Sequence, residues 1–117
     1  MLYLTLMLDG VEQKTYALDK KDVTIGRGPE NDVCINNLAV SKSHSRICFA
    51  DLRLEDLGSA NGTFVNGEKV QSRALENGDV IGIGKFEILF FHSKARPNGS
   101  PDDTTTWLVT PMPKRKS

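Results

Sequence analysis

Leu2, Leu4, Leu6 and Leu8 alternate with Tyr3, Thr5 and Met7, a period of two that predicts a strand with one buried face. Asp9-Gly10 follows, a pair suited to a two-residue hairpin turn, and residues 12–18 predict the returning strand. Short apolar runs then predict strands at 23–25, 33–35, 45–49, 53–56, 63–65, 80–83 and 86–90. The segments between them carry Gly28-Pro29-Glu30-Asn31, Gly58-Ser59-Ala60-Asn61-Gly62, Asn66-Gly67, Asn77-Gly78-Asp79 and Gly84, which supply positive φ or side-chain-to-backbone turn chemistry. No stretch of ten residues keeps a helical period. Many short strands at this spacing predict an all-β, antiparallel sandwich or barrel. There is no internal repeat.

The pattern stops after Phe90-Phe91-His92. From Ser93 to Asp103 the chain is rich in Pro, Gly, Ser and charge with no apolar period, which predicts a linker. The domain is therefore placed at 1–93 and a flexible tail at 94–117. The formal net charge of 0 conceals the same division. Residues 1–93 hold 10 Lys and Arg against 13 Asp and Glu, a net −3, and residues 94–117 hold 5 against 2, a net +3. Charge balance of this kind argues against a general nucleic-acid binder. At 117 residues the chain offers one core. No apolar run approaches the ~18 residues of a membrane span, and the apolar start lacks the basic residues of a secretion signal. Cys34 and Cys48, the two cysteines, have no metal-ligand spacing and are read as reduced core thiols of a cytoplasmic protein.

Candidate chemistry gathers in the turns. Ser41, Ser43 and His44 set hydroxyls beside an imidazole, yet no Gly-x-Ser-x-Gly elbow accompanies them. Gly26-Arg27-Gly28 lacks the third glycine and following helix of a dinucleotide fingerprint, and His44 and His92 have no neighbours at metal-ligand spacing. The reading is therefore not an enzyme, with no cofactor and no metal. An arginine, a lysine and several hydroxyls on loops of a rigid sandwich do suit an oxyanion with several acceptors, such as phosphate.

Val23-Thr24-Ile25-Gly26-Arg27, Asn31-Asp32-Val33-Cys34-Ile35, Val40-Ser41-Lys42-Ser43-His44-Ser45 and Leu57-Gly58-Ser59-Ala60-Asn61-Gly62-Thr63-Phe64-Val65-Asn66-Gly67 together resemble the forkhead-associated (FHA) domain. That family's pattern is Gly-Arg, Ser-x-x-His and Ser-x-Asn-Gly, in this order. Leu75 to Ile81 and Ile83-Gly84 are similar to its closing strands, so the resemblance spans roughly residues 1–92. It implies a β-sandwich of about 11 strands that binds phosphothreonine peptides in Ser/Thr kinase signalling. The partner would be a kinase or a kinase substrate, with neither nucleic acid nor membrane insertion involved.

By the same resemblance Arg27 clamps the phosphate with its planar fork, Ser41 adds a hydroxyl hydrogen bond, and Lys42 stands where the family most often has Arg. Asn61 reads the peptide main chain, because an amide both donates and accepts. Ala60 adjoins the peptide too, but lacks the hydroxyl many members carry there, which weakens affinity or leaves the phosphate to Arg27, Ser41 and Lys42. Gly26, His44, Ser59 and Gly62 are assigned structural support. The extra methyl of threonine favours it over serine by about 0.8 kcal/mol when buried.

Thr104-Thr105-Thr106-Trp107-Leu108-Val109 follows the acidic pair Asp102-Asp103 in the tail. It is similar to the phosphorylated threonine motifs that some bacterial members capture in their own domain, though there the motif is usually N-terminal. Thr104, Thr105 and Thr106 are thus candidate phosphosites, with phosphorylation-dependent self-association as a consequence. Two alternatives stand beside plain peptide recognition: a switch occupied by its own tail, in cis or in trans, and a phosphate-independent scaffold working through the outer sheet face.

Overall fold

In the computed structural model, which describes residues 1–93, the period of two buries its inward positions as far as Leu6, while Leu8, at the strand's end, is only half-buried. Along β1 (Leu2–Leu8) the side chains of Leu2, Leu4 and Leu6 are buried. Asp9 and Gly10 turn the chain, both at positive φ (54° and 77°), into β2 (Val11–Leu18). The other strands are β3 (Asp22–Gly26), β4 (Val33–Cys34), β5 (Ser45–Cys48), β6 (Arg53–Asp56), β7 (Thr63–Val65), β8 (Glu68–Val70), β9 (Ser72–Ala74), β10 (Val80–Ile83) and β11 (Phe86–His92). The described residues form no helix, and so none long and apolar enough to cross a membrane.

The strands make two sheets, in the orders β2-β1-β11-β10-β7-β8 and β4-β3-β5-β6-β9. Register brings the apolar positions into rows. Leu6 lies beside Ile88, Ile88 beside Ile81 and Ile81 beside Val65 in the first sheet. Val23, Ile47 and Leu54 form the facing row in the second. All seven are buried, and these rows, with Leu2, Leu4, Phe90, Ile25, Val33, Ile35, Val40, Leu75 and Ile83, are the core.

Three features depart from the pattern-based expectations. Strands β8 and β9, three residues each and largely exposed, carry too few apolar positions to register as a period. The pair β3–β4 is parallel, with Ile25 opposite Val33 and Gly26 opposite Cys34, so the sandwich is not wholly antiparallel. The thiols are not core groups: Cys34 is exposed on the edge strand β4 and Cys48 is half-buried on β5. Cys48 alternates with buried Ile47 and so faces outward, as a period of two demands.

The core grows polar toward one end. The buried polar residues His44, Ser45 and Thr63 all stand where strands meet the loops 27–32, 35–44 and 57–62. The turn at Gly84, between β10 and β11, belongs to that end as well, because a Cβ on Gly84 would lie 3.3 Å from Ala39 Cβ. The far end holds Met1 and Ser93, whose backbones exchange hydrogen bonds of 3.0 Å. Thr104, Thr105 and Thr106 lie outside the described residues.

Candidate functional site: a rim of donors on three loops

Gly26 ends β3 under tight sterics: a Cβ there would sit 2.3 Å from the Lys42 carbonyl oxygen and 2.8 Å from Asn31 Nδ2. The following loop is pinned from below. Asp32 accepts hydrogen bonds from Thr24 N–H (3.0 Å) and Lys20 Nζ (2.6 Å). Desolvation pushes the Asp32 carboxyl up, but the Lys20 and Thr24 bonds outweigh it and hold the carboxyl below the usual range.

Arg27 leaves this loop half-buried and is anchored twice to the next one. Its backbone N–H donates to the Ser41 carbonyl (2.9 Å) and its Nε to the Val40 carbonyl (3.1 Å). The two terminal nitrogens of the guanidinium have no partner among the described residues. Ser41 joins all three loops. Its carbonyl takes Arg27 N–H, its own N–H donates to His44 Nδ1 (3.1 Å), and its Oγ accepts the Ala60 N–H (3.0 Å). The hydroxyl therefore still has its proton to give. Lys42 uses its carbonyl for Gly28 N–H (3.2 Å) and Asn31 Nδ2 (2.8 Å), while its exposed ammonium makes no ion pair among the described residues.

His44 is fully buried beneath the rim. Nδ1 accepts from Ser41, so the proton sits on Nε2, which donates to the Gly62 carbonyl at 2.9 Å. Both ring nitrogens are used by backbone groups, and neither meets a serine hydroxyl, so the apparent Ser–His pair is no nucleophile and base. The third loop hangs on Asp56. Its Oδ1 accepts Gly58 N–H and Ser59 N–H, each at 2.8 Å, and its Oδ2 accepts Ser59 Oγ (2.6 Å) and Thr63 Oγ1 (2.7 Å). Desolvation works to raise the Asp56 carboxyl; the four donors prevail and hold it below its ordinary value. Ser59 Oγ in turn accepts the N–H of Gly62, which sits at φ +90°. Exposed Asn61 ties this loop to the second through Nδ2 and the Ala39 carbonyl (2.8 Å), keeping its carboxamide oxygen and one N–H toward solvent.

Arg27, Ser41 and Lys42 thus stand on adjoining, hydrogen-bonded segments with donors to spare, and Asn61 stands across from them. Ala60 differs from Asn61 in that its backbone N–H is already committed to Ser41 Oγ. Sequence reasoning gave no role to Asp56, Asn31 or Val40. The Asp56-x-x-Ser59 spacing is a readable turn signature, and Asn31 stands in the quoted Asn31-Asp32 run. Val40 acts through its carbonyl, which no residue type announces.

Comparison with known proteins gives a family model, the FHA domain, matching residues 23–84. The chain is 40% identical over 82 residues to the oxoglutarate dehydrogenase inhibitor of Corynebacterium efficiens, covering 68% of this chain and 58% of that protein. It is 39% identical over 77 residues to the glycogen accumulation regulator GarA of Mycolicibacterium smegmatis, covering 64% and 49%. The match therefore spans about half the length of these curated relatives. A solved structure described as an analysis of phosphothreonine-dependent FHA domain interactions superposes with a TM-score of 0.69 at 36% identity, covering 79% of this chain and 98% of that one.

Proposed function

This chain belongs to the forkhead-associated domain family, and from that premise we propose that its loop rim binds a phosphothreonine segment of a partner protein in Ser/Thr kinase signalling. One observation carries the reading: Arg27 is fixed through its backbone N–H and Nε while both terminal nitrogens stay uncommitted. A guanidinium held this way presents a preorganised fork to a phosphate carrying about −1.5 to −2 charges at neutral pH. Ser41 Oγ and the Lys42 ammonium add donors, and Asn61 offers donor and acceptor to the adjoining main chain. A histidine whose two nitrogens are spent on backbone groups supports binding rather than catalysis at this rim.

The relatives' names, an inhibitor and a regulator, support a regulatory role, exerted by capturing or releasing a partner. Titration calorimetry with one peptide in phosphothreonine, phosphoserine and unmodified forms tests the reading. Phosphothreonine is expected to bind most tightly, phosphoserine much more weakly and the unmodified peptide least. Equal binding of modified and unmodified forms would overturn it.

A further inference from the structure

The two sheets of the sandwich present unlike outer faces. On β3, β5 and β6 the positions that alternate with the core are Thr24, Arg46, Arg53 and Glu55, with Cys48 among them. A face dominated by polar and charged groups is what the solvated side of a sheet requires. The other sheet breaks that rule. Its outward positions include Tyr3 and Met7 on β1, Phe64 on β7, Val80 on β10, and Leu89 and Phe91 on β11. Register sets Tyr3 beside Phe91 and Leu89 beside Val80. All six are half-buried, and none belongs to the core or packs against it. Strand β11 thus reads Ile88-Leu89-Phe90-Phe91, the continuous apolar run of a strand covered on both faces.

We propose that Trp107-Leu108-Val109 of this chain docks on that outer face, over Tyr3, Val80 and Leu89, and forms its cover. These three residues lie outside the described part of the chain and are the longest apolar run in residues 94–117. Reach favours them as the occupant. The chain passes Ser93 immediately after β11, the strand that carries Leu89. Leu89 lies four residues back from Ser93, about 14 Å at roughly 3.4 Å per residue. Trp107 follows Ser93 by 14 residues, and a relaxed chain of that length spans about 19–22 Å. The run therefore meets the face without stretching, at the high effective concentration of a short tether. Charge agrees with this placement. Glu12 and Glu87 flank Met7 on the rimward margin of the face, whereas residues 94–117 carry a net +3. Lys69, beside Phe64, stands on the edge strand β8 at the opposite side. A docked indole takes about 150–250 Å² out of water, and the cover withholds an apolar sheet face from other molecules. The inference stands apart from the phosphothreonine reading.

Trp107 is the only tryptophan of the chain, so its fluorescence reports the contact directly. In the full chain it is expected to emit at shorter wavelength than in the isolated peptide 94–117. Acrylamide should quench it at least about threefold less efficiently than in that peptide, since the quencher reaches only the undocked population. Leu89→Gln and Val80→Gln should each return emission and quenching toward the peptide's values, with circular dichroism showing the strands retained. Trp107→Ala leaves every residue of the domain untouched and keeps the test sound should either Gln variant fail to fold. It should move the amide NMR signals of β1, β10 and β11 and leave those of β3, β5 and β6 in place. Peptide-like emission and quenching in the full chain overturns the proposal, as do unmoved β1, β10 and β11 signals in Trp107→Ala. Protection that persists in both folded Gln variants overturns the assigned face. Protection that appears only as concentration rises gives the face to the tail of a second copy and overturns docking within one chain.

Discussion

At the scale of single residues, the site separates a held cation from a loose one. Arg27 reaches the rim with two bonds already made, whereas Lys42 presents a point charge on a flexible, exposed stem. Arg27→Ala is expected to cost about 2–5 kcal/mol of phosphopeptide binding, the range for losing one member of a desolvated charge pair. Lys42→Ala should cost less. Calorimetry on both variants checks the order, with circular dichroism confirming that each stays folded; a larger loss from Lys42→Ala would reverse the ranking. Asp56 links the same end of the molecule to pH. Its folded carboxyl is held below the ordinary range by the Ser59, Thr63 and Gly58 donors against desolvation, so the unfolded chain binds the proton more readily. The stability this adds is fully present above about pH 5 and falls away as acid titrates first the unfolded and then the folded carboxyl. Asp32, lowered in the same direction, adds to the same window. Thermal melts should accordingly be flat in this contribution from pH 6 to 8 and decline below about pH 4.5. Asp56→Asn should lower stability at pH 7 by about 1–3 kcal/mol and make the acid decline shallower. An unchanged acid limb in Asp56→Asn would remove Asp56 as its source.

At the scale of elements, the rim is positioned by where strands stop. β3 can end against the 35–44 loop only because residue 26 has no side chain: an added Cβ would meet the Lys42 carbonyl carbon at 2.9 Å as well as its oxygen at 2.3 Å. Those are backbone atoms and cannot swing aside. Gly26→Ala is therefore expected to push the Lys42 segment away from Asn31 and Gly28, destabilising the fold by about 1–3 kcal/mol as overpacking does and weakening phosphopeptide binding alongside. Urea denaturation and calorimetry on the one variant measure both effects. Full stability with full binding would mean that the loop yields more easily than its hydrogen bonds imply. Strand β5 shows the complementary device: it starts immediately after His44, so the buried imidazole that ties Ser41 to Gly62 is carried on the end of a paired strand.

At the scale of the whole molecule, the ends of the described chain and the binding rim face apart. Strand β11 leaves the Gly84 turn beside Ala39 and runs seven residues to His92, about 24 Å at roughly 3.4 Å per residue. Thr105 follows His92 by 13 residues, a reach of about 43–47 Å fully extended but only about 18–22 Å for a relaxed chain. The 13 intervening residues are long enough to cover the length of the sheet, so both the chain's own rim and that of a second copy lie within reach of a phosphorylated threonine at 104, 105 or 106. Light scattering of kinase-treated protein across a concentration series separates the two: contact between copies is expected to show as growing mass, since head-to-tail contacts propagate into chains or rings. Constant mass with peptide binding blocked would mean closure in cis. Constant mass with an open site would exclude a tail switch.

What the sequence determined by itself was whatever depends on near neighbours along the chain. The Leu2-Leu4-Leu6 alternation, the Asp9-Gly10 and Asn66-Gly67 turns with both residues at positive φ, and the inward rows of the core follow from period and local sterics. The ordered Gly-Arg, Ser-x-x-His and Ser-x-Asn-Gly blocks named the rim residues as well. Only the tertiary structure decided what those residues are bonded to. The parallel pairing of β3 with a two-residue β4, the Val40 carbonyl that orients Arg27, and the exposure of Cys34 and Leu38 depend on which strand is an edge and which loop lies opposite. Backbone carbonyls look alike in every residue, and a short apolar residue run reads the same at an edge as at a centre. Contacts between segments distant along the chain settle such matters, and a linear pattern does not record them.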